Sequence, residues 1–244
     1  MRKFIPFLAI ILLGCSQQEL QRTIDSANEV LNGPQGSLTT SEVTSGLKEA
    51  LVKGTDYAVD FSGVRDGFYK NPRLFIPFPE EAEKVKEVAL NLGLNNQVNK
   101  FEETLNRAAE QAVQEAKPIF VNAITSMTVE DAFALLKGGD NAATEYLRRK
   151  TSAELFSKFE PKVSNAVNQV ELTKYWNPLA NAYNTATQLT GGEPVDPDLT
   201  EYVTNRSIDG LFKLIADEEK EIREDPAARV TDLLKKVFGS EAAK

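Results

Sequence analysis

The 244-residue chain contains no histidine and a single cysteine, Cys15. Without imidazole there is no Ser-His-Asp or Cys-His nucleophile pair, no His-ligated zinc, iron or haem, and no ordinary pH switch. With one thiol, neither an intrachain disulfide nor a thiolate metal site can form. No cofactor is therefore expected. Any catalysis would rest on Asp, Glu, Tyr, Lys, Ser or Thr alone, and the reading leans away from an enzyme. A basic excess is lacking as well. The chain has 28 Lys and Arg against 36 Asp and Glu, and loss of Arg2 and Lys3 with a leader leaves 26 against 36, a net charge of −10. No basic patch is available to neutralise phosphates, so nucleic acid is not an expected partner. There is no Walker loop, no Gly-x-Gly-x-x-Gly and no His-Glu-x-x-His. Sustained apolar/polar alternation is also missing, and with it any expectation of strands.

What is present starts at the N-terminus. Met1, Arg2 and Lys3 precede an apolar run over residues 4–13. Ten residues are too short to cross a bilayer core of about 30 Å, and the positive start marks a secretory signal peptide. The run ends Leu12-Leu13-Gly14-Cys15. This resembles the bacterial lipobox, with Leu13 where a small residue is more usual. The resemblance implies cleavage before Cys15, a diacylglyceryl group on its sulfur, and an acyl chain such as palmitate on its nitrogen. Each buried CH₂ contributes about 0.8 kcal/mol, so several chains make a lasting membrane anchor. Ser16 follows where an aspartate would favour inner-membrane retention. The expected address is the periplasmic face of the outer membrane.

The expected layout is a signal peptide over 1–14, a lipid anchor and tether over 15–37, and a helical domain over 38–240. In the tether, Leu20, Ile24, Ala27 and Leu31 space out as one stripe of a short amphipathic helix, and NGPQGS (residues 32–37) reads as a linker. Hydrophobic content of 41% with 26% charged residues suits a folded domain with a real core. Thr39-x-x-Glu42 is a capping box opening a helix that reaches about Phe61. Residues 66–79 carry three prolines and several aromatics, which predicts an extended loop pinned inward by Phe75, Ile76 and Phe78. A helix over 80–92 closes at Gly93.

Residues 106–150 hold the densest run of small and apolar residues after the leader. Val98, Phe101, Leu105, Ala108, Ala109 and Ala112 share one helical stripe, and Pro118 predicts a kink or break. Thr128 and Asp131 form a capping box, Gly138-Gly139 is expected to end that helix in the left-handed conformation, and Asp140 to cap the next. Thr151-x-x-Glu154 and Pro161 each predict a further helix start. Trp176 and Pro178 predict a corner, and Asp198-x-x-Glu201 and Asp225-Pro226 open the last two helices. The fold class is all-α, a single multi-helix, bundle-like domain. The acidic run over 217–221 reads as a solvated face.

The candidate binding residues are Asn106, Arg107, Glu110, Asp131, Asp140, Tyr146 and Arg148, with Thr144 beside them. Capping and solvated faces account for this cluster more simply than a site does. Arg107 falls opposite the apolar stripe, four residues after Glu103, in the favourable orientation for a surface ion pair. The segments GLKEAL (46–51), NRAAE-x-A (106–112), MT-x-x-DA (127–132) and DNAATEYLR (140–148), in that order, resemble the bacterial family of exported proteins known as domain of unknown function 4197. The resemblance implies an all-helical, exported and often lipidated protein with no assigned activity. The function expected is therefore an envelope lipoprotein whose domain binds or scaffolds another envelope protein. The alternatives are a periplasmic carrier of an apolar ligand, beside the 75–78 loop, and a carboxylate-based cell-wall hydrolase.

Overall fold

The computed structural model describes residues 38–91, 93–169, 173–191, 194–195, 198–240 and 243. The leader, Cys15 and the tether stripe lie outside them. Every regular element among the described residues is helical. Helix α1 spans Thr40–Ser62 and is followed by the loop over 63–79 and a 3₁₀ turn, Glu80–Ala82. Then come α2 (Glu83–Asn91), α3 (Asn95–Ala112), a 3₁₀ turn (Val113–Glu115), α4 (Ala116–Thr125) and α5 (Val129–Leu136). The remainder is α6 (Ala142–Gln169), α7 (Thr173–Thr190), α8 (Thr200–Glu224), a 3₁₀ turn (Pro226–Ala228) and α9 (Asp232–Phe238).

Helix α8 is the hub, packing on α6, α1 and α3, while α3 and α4 also pack on α6. The reason lies in composition. Ile208, Leu211, Phe212, Leu214 and Ile215 of α8 are buried, and Leu105, Ala108, Ala109 and Ala112 of α3 bring small surfaces against larger ones. Leu147, Leu155 and Phe159 of α6 complete this centre, and Phe120 of α4 meets Phe212 edge-on at 5.9 Å. Truncating any one of these large side chains to Ala costs about 2–5 kcal/mol. Helix α9 lies on α1, where Gly46 lets Val237 approach; a Cβ there would sit 2.6 Å from Val237 Cγ2.

Two expected capping boxes form. Thr39 and Glu42 cap α1, and Thr128 and Asp131 cap α5, each side chain accepting from the other's backbone N–H. The loop is also pinned as expected, with Ile76 and Phe78 buried and Phe75 half-buried. Several expected boundaries are overturned. Helix α6 runs unbroken through Thr151 and Pro161. Thr151 donates its hydroxyl to Leu147 O at 2.7 Å instead of capping a new start. Trp176 and Pro178 lie inside α7 rather than at a corner. The break associated with Pro118 falls just ahead of it, at Val113–Glu115, which places the proline in the first turn of α4 where no amide is missed.

Further differences are local. Asp198 accepts from Thr200 N at 2.9 Å, but Leu199 is the N-cap of α8 and Glu201 takes no part. Asp225 and Pro226 open only a 3₁₀ turn, while Thr231 caps α9 and Val230 stays exposed. Among the described glycines, positive φ occurs at Gly93 and Gly191, so neither Gly138 nor Gly139 is left-handed. Gly138 is needed for space: its Cβ would lie 2.4 Å from the Ala142 methyl carbon. With no helix start at Thr151, Arg148, Arg149 and Lys150 sit in the first third of the long α6 instead of at the end of a preceding helix.

Candidate functional site

The seven candidate residues do not converge on one place. Three of them, spaced along α3, fasten the 63–79 loop. Asn106 is completely buried; its Nδ2 donates to Ile76 O at 2.9 Å and to Glu102 O at 2.7 Å, and its Oδ1 accepts from Ile76 N at 2.8 Å. Glu110, 4% exposed, accepts from Phe68 N and Tyr69 N, both at 3.1 Å, through Oε1. Its Oε2 accepts from Arg107 Nη1 at 2.7 Å.

Arg107 corrects the expectation of a simple surface pair. Its contact with Glu103 is 3.4 Å, longer than those to Glu110 and to Asp66 Oδ1 at 2.5 Å. The guanidinium also lies over the Tyr69 ring at 5.1 Å. Burial works against its charge, yet the hydrogen bonds to Glu110 and Asp66 outweigh this and hold its pKa above the usual arginine value. Hydrogen bonds from Arg107 and then Lys70 lower the pKa of Asp66. Asp66 has φ 72°, in the left-handed region. A non-glycine residue there is held by its surroundings, and the Arg107 contact supplies the hold.

Asp131 and Tyr146 belong elsewhere. The Asp131 carboxylate is used by the α5 cap, which lowers its pKa through Thr128, and it accepts a long hydrogen bond from Tyr146 Oη at 3.4 Å. Burial, then the Asp131 charge, raise the pKa of Tyr146. Arg148 bridges α6 and α8, pairing with Asp209 at 2.8 Å and covering the Phe212 ring at 4.5 Å. Asp140 is exposed and does not cap α6.

That cap comes from α8. Glu219 accepts from Ala143 N at 3.0 Å, Thr144 N at 2.8 Å and the Thr144 hydroxyl at 2.7 Å. The same carboxylate pairs with Arg223 at 2.8 Å, and Arg223 donates to Leu135 O at 2.9 Å and Leu136 O at 3.3 Å. One ion pair, its side chains 10% and 8% exposed, thus satisfies the N-terminus of α6 and the C-terminus of α5 together. Glu219 lies inside the acidic run taken for a solvated face, so that reading holds for Asp217 and Glu221 and fails here. The signal that could have found it is Arg223 four residues on, with Ile215 and Ile222 buried on either side.

These polar groups are spent on holding helices and the loop in place. Among the described residues, rings pack together beside the 75–78 loop: Phe78 and Phe101 at 4.4 Å, Phe101 and Trp176 at 5.2 Å. Between α1, α8 and α9 lies a small apolar cavity of about 20 Å³, lined by Leu47, Leu51, Ile215 and Phe238 among others. That is the scale of one water molecule, not of an acyl chain.

The outer surface offers a different feature. Tyr57 and Phe61, one turn apart on α1, are 44% and 42% exposed and stack at 5.5 Å with their planes 20° apart. Val64, 56% exposed, follows them. Phe61 and Val64 are part of the wall of an open groove of about 490 Å³, whose other side is Asp66, Gly67, Lys70, Asn71 and Pro72. The loop forming that side is the one braced by Asn106, Arg107 and Glu110. Sequence reasoning missed this face, because Tyr57 and Phe61 have the i, i+4 spacing that elsewhere in the chain marks a buried side.

Among the described residues no single helix is long and apolar enough to cross a membrane, and no group of acidic or thiol side chains could hold a metal ion. No curated protein and no solved structure matches the chain. A family model, described as a protein of unknown function (DUF4197), matches residues 37–239, the whole helical domain. The chain therefore belongs to the DUF4197 family.

Proposed function

We propose that this protein is a bacterial envelope lipoprotein, anchored through Cys15 at the periplasmic face of the outer membrane, whose helical domain works by binding another envelope protein. The observation that carries the binding reading is the stacked, exposed Tyr57–Phe61 pair beside a groove with a braced far wall. A monomeric surface rarely leaves two adjacent aromatic rings and a valine in water without use. The two rings stack on each other along one helix, which lowers the ordering cost of binding. The address rests on the lipobox-like Leu12-Leu13-Gly14-Cys15, which falls at the only cysteine.

Two measurements test the two halves. Mass spectrometry of the N-terminal peptide from the membrane fraction is expected to find Cys15 at the new N-terminus with diacylglyceryl and N-acyl groups. Recovery of an unacylated chain in the soluble periplasmic fraction would overturn the address. A photoreactive residue introduced at Phe61 is expected to give a discrete cross-link to an envelope protein that the same residue at exposed Glu154 does not give. Equal or absent cross-links from both positions would overturn the binding surface.

A further inference from the structure

Tyr57 and Phe61 project near the C-terminal end of α1, directly beside a recess. The rings are 44% and 42% exposed, and the adjoining groove of about 490 Å³ has Phe61 and Val64 on one wall and Gly67, Asn71 and Pro72 on the other. Pockets of this size hold drug-sized groups, so the groove has room for aromatic side chains. A projection and a recess side by side on one surface suit a two-fold contact. A second copy turned by 180° places each projection in the other's recess.

The charges along the groove point to the same partner. Its walls carry two acids, Asp60 and Asp66, and two bases, Arg65 and Lys70, so the patch is neutral on a chain of formal charge −8. A face built for a strongly charged partner carries one sign; a face built for its own copy needs both. Asp66 and Lys70 are already paired at 3.1 Å, and Asp66 also holds Arg107. Asp60 and Arg65 are different. Their side chains are 72% and 80% exposed, and their ion-pair partners Lys117 and Glu103 stand off at 3.9 Å and 4.0 Å. They end the segment Asp60-Phe61-Ser62-Gly63-Val64-Arg65, which reads acid, apolar, small, small, apolar, base. Reversed against itself about the Ser62–Gly63 bond, it sets Asp60 on Arg65 and Phe61 on Val64, twice, and no like charges meet.

We infer that the partner of the Tyr57–Phe61–Val64 face is a second copy of this chain, joined about a two-fold axis that pairs Phe61 with Val64 and Asp60 with Arg65 in both directions. This rests on the docking reading above and names the protein that docks. Four rings bury about 150–250 Å² each, which leaves the contact at the low end of specific interfaces. The pair is therefore weak in solution, with a Kd of about 10–1000 µM. Confinement of both copies to one membrane supplies the concentration it needs.

Sedimentation of the chain from residue 15 onward, as the lipid-free Cys15→Ser form, reads the contact without a bilayer. This chain is expected to dimerise. Asp60→Arg and Arg65→Asp should each weaken the dimer about tenfold or more, since each sets like charges together twice. An equimolar mixture of the two variants should recover it, because every reversed site then faces an opposite charge. Both reversals in one chain should recover it as well. The two sites are exposed, so a retained thermal midpoint shows that folding is intact. A monomer at about 1 mM, reversals without effect, or a mixture no tighter than its components would overturn the inference. A Phe61 cross-link to a different protein, with this chain monomeric, leaves the docking surface standing and removes the second copy as its partner. Absence of any cross-link from Phe61 removes the surface itself, and the dimer with it.

Discussion

Ile76 exchanges two hydrogen bonds with the side chain of Asn106, donating its N–H to Oδ1 at 2.8 Å and accepting from Nδ2 at 2.9 Å. The carboxamide pairs with the peptide as a neighbouring strand would, in an extended segment that has no strand beside it. Both groups are buried. Asn106→Leu would leave a donor and an acceptor of Ile76 unsatisfied and cost about 3 kcal/mol. The expected result is a lower urea midpoint with an unchanged slope. Unchanged stability would return Asn106 to the candidate ligand residues.

The Glu219–Arg223 pair is the most consequential ionic contact among the described residues, since two helix ends depend on it. Removing one partner leaves the other charge largely out of water and the α6 amides uncapped, so Glu219→Ala should destabilise by about 2–4 kcal/mol. Glu224→Ala, one turn further along the same helix and exposed, should change stability by less than about 0.5 kcal/mol. Thermal unfolding of the two variants side by side gives the comparison. Similar midpoints would mean that the α6 N-terminus is satisfied by water.

Acid should loosen the α9 attachment in a defined window. The hydrogen bond from Lys236, then those from Thr39, hold Glu42 at a pKa of about 2, against 4.5 for the free group. A depressed carboxyl pKa contributes stability above the unfolded value and loses it as the pH falls through the folded value. Wild type should therefore be more stable than Glu42→Gln at pH 7, with the gap closing between about pH 4.5 and 2. Asp66 and Asp131, also with lowered pKa, remain in both chains and cancel. A gap independent of pH would show that the carboxylate charge is not the cause.

Gly46 is the contact that sets how closely α9 lies on α1. Gly46→Ala places a methyl against Val237 and should cost about 1–3 kcal/mol by overpacking. Val237→Ala in the same chain should recover part of that loss. A double-mutant cycle read by denaturation measures the coupling, and additive effects would disprove the contact.

The parts legible in the sequence are those whose cause lies within one turn. Thr39 with Glu42 and Thr128 with Asp131 are partners three residues apart, and the apolar stripe of α3 needs only the period of the helix. Where local reasoning failed, a competing term came from elsewhere in the chain. Thr151 and Pro161 carry the marks of a helix start, yet α6 continues through both because Leu147, Leu155, Phe159 and Val163 are buried along its length. Packing outweighs the local preference for an end.

For the polar residues the division is sharper. Glu218, Glu219 and Glu221 are the same side chain in the same acidic run. Glu221 stays in water, Glu218 is half-buried with its pKa raised by burial and by Glu221 and Asp217, and Glu219 is locked onto helix α6. Asn106 finds its partner 30 residues away and Glu219 finds its own 75 away. Helical period and capping chemistry are local, so the string of residues is enough to place most helices and the class of fold. Which carboxylate is buried, and which aromatic pair is left outside, follows from the angle at which distant helices meet, because burial depends on what lies opposite and not on the residue itself.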